Sequence, residues 1–169
     1  MRRMLLPALA AVGIGLLGYE LANQNAGRPS PAIAQGSAPP FVENVAELAA
    51  QNSDYRRVIY TGPRTQLVLM SIPVGDDVGK ERHVGVEQLL FVESGRGKAV
   101  LDGNETALEA GAVVAVPSGV VHDVVNVGSD PLKLYTVYSP PNHLPGRIQA
   151  TKADAEKDEA DQAVERRSE

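Results

Sequence analysis

After Asn52 the chain settles into short apolar runs, at 57–60, 67–72, 88–93, 99–101, 113–116, 124–127 and 132–138, each closed within a few residues by a turn former. Runs of this length rich in Val, Leu, Ile and Tyr read as β-strands, because branched and aromatic side chains suit a pleated, half-buried surface. Asp102-Gly103-Asn104 is a tight hairpin signal, and Gly95-Arg96-Gly97 and Gly128-Ser129-Asp130 supply further turns. Many short strands joined by such turns predict an all-β fold, an antiparallel sandwich or barrel, of which the jelly roll is one solution. The pattern by itself does not choose among them. Trp is absent and there are only two Phe and five Tyr, so burial falls to aliphatic side chains, and a hydrophobic fraction of 43% over 169 residues suffices for the core of a single domain.

The flanks read differently. Arg2 and Arg3 precede an uncharged run over 4–17, and Ala32-Ile33-Ala34 forms an A-x-A site, so residues 1–34 are expected to be a secretory signal peptide or, uncleaved, an N-terminal anchor. The run is shorter than the ~20 apolar residues of a comfortable membrane span. Either form places the folded part outside the cytoplasm, periplasmic or extracellular, with a membrane tether in the second. Residues 35–52 read as a linker containing Pro39 and Pro40, followed by a short helix over 45–51 with Asn44 and Glu47 as its capping pair. The β domain is expected over 53–148. The segment 149–169 alternates in charge, with Ala153, Ala160, Ala163 and Val164 as a thin apolar stripe, and reads as a solvated helix or frayed tail.

Cysteine is absent, which excludes disulfides and thiolate metal sites and leaves only nitrogen and oxygen ligands. A net charge of -5 without a basic patch argues against nucleic acid and toward a small-molecule partner.

Two of the three histidines stand in glycine and proline frames. His83 lies in Gly75-x5-Glu81-x-His83-x4-Gln88-x6-Gly95, and His122 in Gly111-x5-Pro117-x-Gly119-x2-His122-x3-Asn126. Residues two apart on a strand share a face, which groups Glu81 with His83 and His122 with Val124 and Asn126. A turn near Gly85 would let the next strand present Gln88, Leu90 and Val92 on one side. These frames resemble the two signature motifs of the cupin superfamily, G-x5-H-x-H-x3/4-E-x6-G and G-x5-P-x-G-x2-H-x3-N. The second fits at every fixed position, while the first has Glu81 for the usual His and Gln88 for the usual Glu.

The resemblance, over about residues 52–140, implies a single cupin-type jelly-roll β-barrel. It also implies one divalent transition metal, Fe, Mn, Ni, Cu or Zn, held by Glu81, His83, Gln88 and His122. Charge supports the exchange: the family set carries one carboxylate and so does this one, relocated to Glu81. Two imidazoles and a carboxylate also match the facial triad of non-haem Fe(II) enzymes. His143, in Ser139-Pro140-Pro141-Asn142-His143, is read as a surface residue, with a proton shuttle as the alternative. Tyr60, Tyr135 and Tyr138 are expected in the core, and Glu87 is expected to be structural. Ser118 and Ser139 lack a His and acid arrangement, so chemistry without the metal is not expected. Three functions remain open: a metal-dependent oxygenase or isomerase/lyase, a binding or sensing module for a sugar or organic acid, and a metal-free structural cupin working through homodimer contacts.

Overall fold

A computed structural model describes residues 39–168. Two antiparallel sheets face each other. One runs in the order β10 (Ile148–Gln149), β1 (Arg56–Thr61), β2 (Gln66–Ile72), β9 (Leu132–Ser139), β4 (Glu87–Ser94), β7 (Val113–Val116). The other runs β3 (Glu81–Arg82), β8 (Val121–Asn126), β5 (Arg96–Leu101), β6 (Asn104–Glu109). This is the all-β jelly roll expected from the sequence.

Alternation builds the core. Every second residue of β9, Leu132, Leu134, Thr136 and Tyr138, is buried, as are Gln88, Leu90 and Val92 on β4 and His122, Val124 and Asn126 on β8. Each aliphatic member contributes about 1.5–3 kcal/mol relative to exposure. The inward set also carries Gln88 and His122, so the polar residues are fixed by the same register that packs Leu90 and Val124. Gly85 takes φ +78, a value reached freely only without a Cβ, and turns the chain from the Glu81 segment into β4.

The β5–β6 hairpin forms where Asp102-Gly103 signals it, with φ of 47 and 84 at the two turn residues. Strand β6 itself was not expected. Its sequence, NETALE, is exposed except for Leu108, and polar residues on a sheet edge leave no apolar alternation to detect. Helix α1 (Val45–Gln51) starts where the sequence places it, with the Asn44 side chain accepting from the Glu47 amide, and it packs across β2, β4 and β9.

The C-terminal segment corrects the solvated-tail reading. It is helical, α2 (Lys152–Lys157) and α3 (Glu159–Glu165) followed by a 3-10 turn, but Ala155 and Asp161 are buried, the latter to 1% exposure. Thr151 and Asp154 form a capping box, Lys152 pairs with Asp76 and Asp77, and Arg147 pairs with Asp158. A break at Asp158 makes each helix too short to show an apolar face, and the buried group is a carboxylate whose partners are remote in sequence. The signal-peptide or anchor reading falls on residues 1–34, outside the described residues. Among the described residues no helix is long and apolar enough to cross a membrane.

Candidate metal centre

Strand β3 is two residues long, and its register on β8 decides the site. Glu81 pairs directly with His122, which sets their side chains beside one another across the strands. His83 follows two residues after Glu81 and returns to the same side. Glu81 Oε2 lies 3.3 Å from His83 Nε2 and 3.9 Å from His122 Nε2, and the two imidazole centroids are 5.2 Å apart. One donor atom from each of the three falls within 4.8 Å of the others.

His122 Nε2 and Gln88 Oε1 are buried with no hydrogen-bond partner, and His83 Nε2 faces only the Glu81 carboxylate, 3.3 Å away. An unpaired buried polar atom costs about 1–3 kcal/mol; Thr136 Oγ1 and His143 Nε2 are also unpaired, and what sets the His83 and His122 nitrogens apart is the carboxylate they share. Gln88 is the inward neighbour of Tyr138 on β9 and of Val116 on β7.

The ring orientations can be read from what surrounds them. His122 Nδ1 is 3.2 Å from the Val120 carbonyl, which can only accept; Nδ1 therefore donates and the Nε2 lone pair is free. The Asn142 amide nitrogen is 3.4 Å from His83 Nδ1. In that orientation the imidazole accepts and carries its proton on Nε2, whereas an amide turned by about 180° accepts from Nδ1–H and frees Nε2.

Burial pushes His122 below the usual 6.5 and keeps it neutral. For Glu81 burial acts upward, but His83 and the Arg56 guanidinium outweigh it and hold the carboxyl below its usual range, ionised. One carboxylate and two imidazoles within 4.8 Å of one another fit a borderline divalent transition metal, and no contact brings the Gln88 amide to the three. An opening of about 330 Å³ lined by Lys80, Glu81, Arg82, His83 and Glu165 leads to the group, within the size range of small-molecule sites.

His143 is not a surface residue. Its imidazole is buried, with Nδ1 3.0 Å from both Asp161 Oδ2 and Glu165 Oε1. Tyr138 stands edge-on between the two histidines, 5.0 Å from His143 and 6.0 Å from His83 by ring centroid. Gln66 holds the Asn142-His143 backbone in place. Of the other residues singled out, Tyr138 is in the core, Tyr60 and Tyr135 are half-buried and Glu87 is exposed. The sequence reading missed Arg56, Gln66, Asn142, Asp161 and Glu165. Each is a polar residue in an ordinary local context, distinguished by contacts across 59 to 109 positions for Arg56, Gln66, Asn142 and Glu165 and across 12 to 18 for Asp161.

His143, Asp161 and Glu165 also gather donor atoms within 4.8 Å. Arg56 Nη1 already occupies that space, 2.7 Å from Glu165 and 3.8 Å from Asp161, which disfavours a cation there.

The match to known proteins covers the barrel. Residues 68–138 match the cupin domain family. The chain is 42% identical over 123 residues to the uncharacterized protein YrkC of Bacillus subtilis, covering 69% of this chain and 66% of that protein, so it spans just under two thirds of that relative's length. It is 40% identical over 112 residues to the uncharacterized protein L612 of Acanthamoeba polyphaga mimivirus, 64% of this chain and 70% of the relative. A crystal structure of a Bacillus halodurans protein superposes with a TM-score of 0.69 at 38% identity, covering 70% of this chain and 94% of that one. The chain belongs to the cupin superfamily. Glu81, His83, Gln88 and His122 of this cupin lie within the matched residues, whereas Arg56, His143, Asp161 and Glu165 lie outside them.

Proposed function

We propose that this cupin binds one divalent transition metal, Fe, Mn, Ni, Cu or Zn, through Glu81, His83, His122 and Gln88, and acts on a small oxygenated molecule of sugar or organic-acid type. The observation that carries this is the convergence of two imidazole nitrogens on one ionised carboxylate, with donor atoms within 4.8 Å, in a barrel that also buries the unpartnered Gln88 oxygen. When bound, a divalent metal supplies a Lewis-acid centre with positions open to an oxygen-bearing substrate.

The chain's own residues prepare the site. The Val120 carbonyl fixes the His122 tautomer, and the Asn142 amide, if turned to present its oxygen, would do the same for His83, the usual way an outer partner orients a histidine ligand. Tyr138 packs edge-on against His83, and the opening beside Glu165 gives an approach to Glu81 and His83. Export, as the N-terminal pattern suggests, belongs to the same reading: a nitrogen and oxygen donor set without thiols suits an oxidising compartment.

Elemental analysis of protein purified without an affinity metal is expected to find close to one equivalent, lost in Glu81→Ala and in His122→Ala. Sub-stoichiometric metal in the wild type, unchanged in both variants, would overturn the reading. A screen of sugars and hydroxy acids with and without oxygen then separates turnover from capture: product marks an enzyme, and ligand-dependent stabilisation without product marks a binding module.

A further inference from the structure

We propose that Arg56 positions Glu81 for the metal and that helix α3 positions Arg56, so that the C-terminal segment is part of the site. The inference rests on the metal reading above and goes beyond it, since these residues lie outside the segment matched to the cupin family.

Arg56 is 5% exposed, on β1 between its partners Gln149 and Met70. Its Nη2 lies 3.5 Å from Glu81 Oε1. The other oxygen, Oε2, is the one that faces both imidazoles. The guanidinium thus divides the carboxylate, holding one oxygen and leaving the second toward His83 and His122. Without that hold, rotation about the terminal torsion, which is broad for Glu, would leave neither oxygen fixed toward the imidazoles.

Arg56 is itself held from α3. Nη1 lies 2.7 Å from Glu165 Oε1 and 3.8 Å from Asp161 Oδ2. Asp161 is anchored by His143 Nδ1 at 3.0 Å, by the Leu144 amide at 2.7 Å and by Gln149 Nε2 at 3.2 Å. The chain of contacts therefore runs from the barrel wall through α3 and Arg56 to Glu81.

Charge points the same way. One guanidinium faces three carboxylates, Glu81, Asp161 and Glu165, a net -2 that one divalent ion beside Glu81 cancels. A network serving only to dock α3 would not need Glu81, and apolar packing docks helices as well as buried ion pairs do. Outer partners of metal ligands commonly set affinity by 10–100-fold.

The test uses full-length protein titrated with Co2+, read by visible absorption and by competition with a chelator. The wild type is expected to bind one equivalent, Arg56→Lys to bind about 10–100-fold more weakly with a shifted spectrum, and Glu165→Gln to weaken binding on the order of tenfold. The double variant should bind no more weakly than Arg56→Lys alone, because Glu165 acts through Arg56; additive losses would overturn the relay. Glu165 sits at the rim, so Glu165→Gln decides the matter if Arg56→Lys does not fold. Wild-type affinity and spectrum in both single variants would overturn this inference and leave the metal reading standing, whereas a wild type that takes up no Co2+ would overturn both.

Discussion

Gln66 makes every hydrogen bond its side chain can make, from a position with no exposed surface. Its Oε1 accepts from the amides of Asn142 and His143 at 3.1 and 2.9 Å, and its Nε2 donates to Thr61 Oγ1 and the His143 carbonyl at 2.9 and 2.8 Å. This clamp holds the segment that carries Asn142 to His83 and His143 to Asp161. Gln66→Leu keeps most of the volume but leaves three buried backbone groups unpaired, at about 1–3 kcal/mol each. A loss of about 3 kcal/mol or more in urea unfolding is expected; a loss under about 1 kcal/mol would show that the segment simply turns to water. Gln66→Glu, which keeps both accepting contacts, should cost the Asn142 and His143 amides nothing directly. The contrast with Glu81 and His122 explains what was legible. Those two stand in spacing frames of fixed residues, while Gln66 and Arg56 owe their roles to partners 77 and 109 positions away.

At the scale of elements, strand rhythm and turn chemistry were readable because both are local. The α1 cap, the Asp102-Gly103 turn and the inward sets on β4 and β8 follow from neighbours within a few residues. The docking of α2 and α3 was not readable, because α2 gives the core a single small residue, Ala155, and α3 is buried through the carboxylate of Asp161. That charge makes their docking sensitive to acid. Asp158 is held below the usual 3.8 by the Arg147 guanidinium. Asp161, which burial alone would raise, is held down by His143 and the Leu144 amide. A carboxyl depressed in the folded state contributes stability that is fully present above its unfolded value and is lost as pH falls through its folded one. His122, kept neutral by burial, has the same sign over a higher window, because the unfolded chain takes up the proton first as pH drops below 6.5. Asp123, raised by burial and by Asp77, opposes them. The net expectation is a urea midpoint that declines gently below about pH 6.5 and more steeply below about pH 4. Asp161→Asn should flatten the steep limb. An unchanged limb in that variant would place the acid sensitivity elsewhere.

Over the whole molecule, the rhythm of short strands confined the fold to a few β architectures, and the motif spacing chose among them. Strand order was beyond either. The pairing of Gln66 with Tyr138, and of Glu81 with His122, joins segments far apart in the chain, and no local pattern encodes it. Those same long-range pairings mean that the donor set exists only in the folded state, which couples metal to global stability. An ion that binds the native barrel and not the unfolded chain stabilises it by about 2.7 kcal/mol at a hundredfold excess over Kd. Chelator-treated protein should therefore unfold at lower temperature, and Zn2+, Co2+ or Mn2+ should restore the midpoint. Two effects compete to explain such a shift, occupation of a specific site and screening of the net -2 cluster around Arg56. Mg2+ separates them: it carries the same charge but prefers oxygen ligands, and two of the candidate donors are imidazoles. Stabilisation by Zn2+ and Co2+ that Mg2+ does not reproduce, and that disappears in His83→Ala, marks binding at Glu81, His83 and His122; equal stabilisation by Mg2+ marks screening and removes the linkage argument for a transition-metal site.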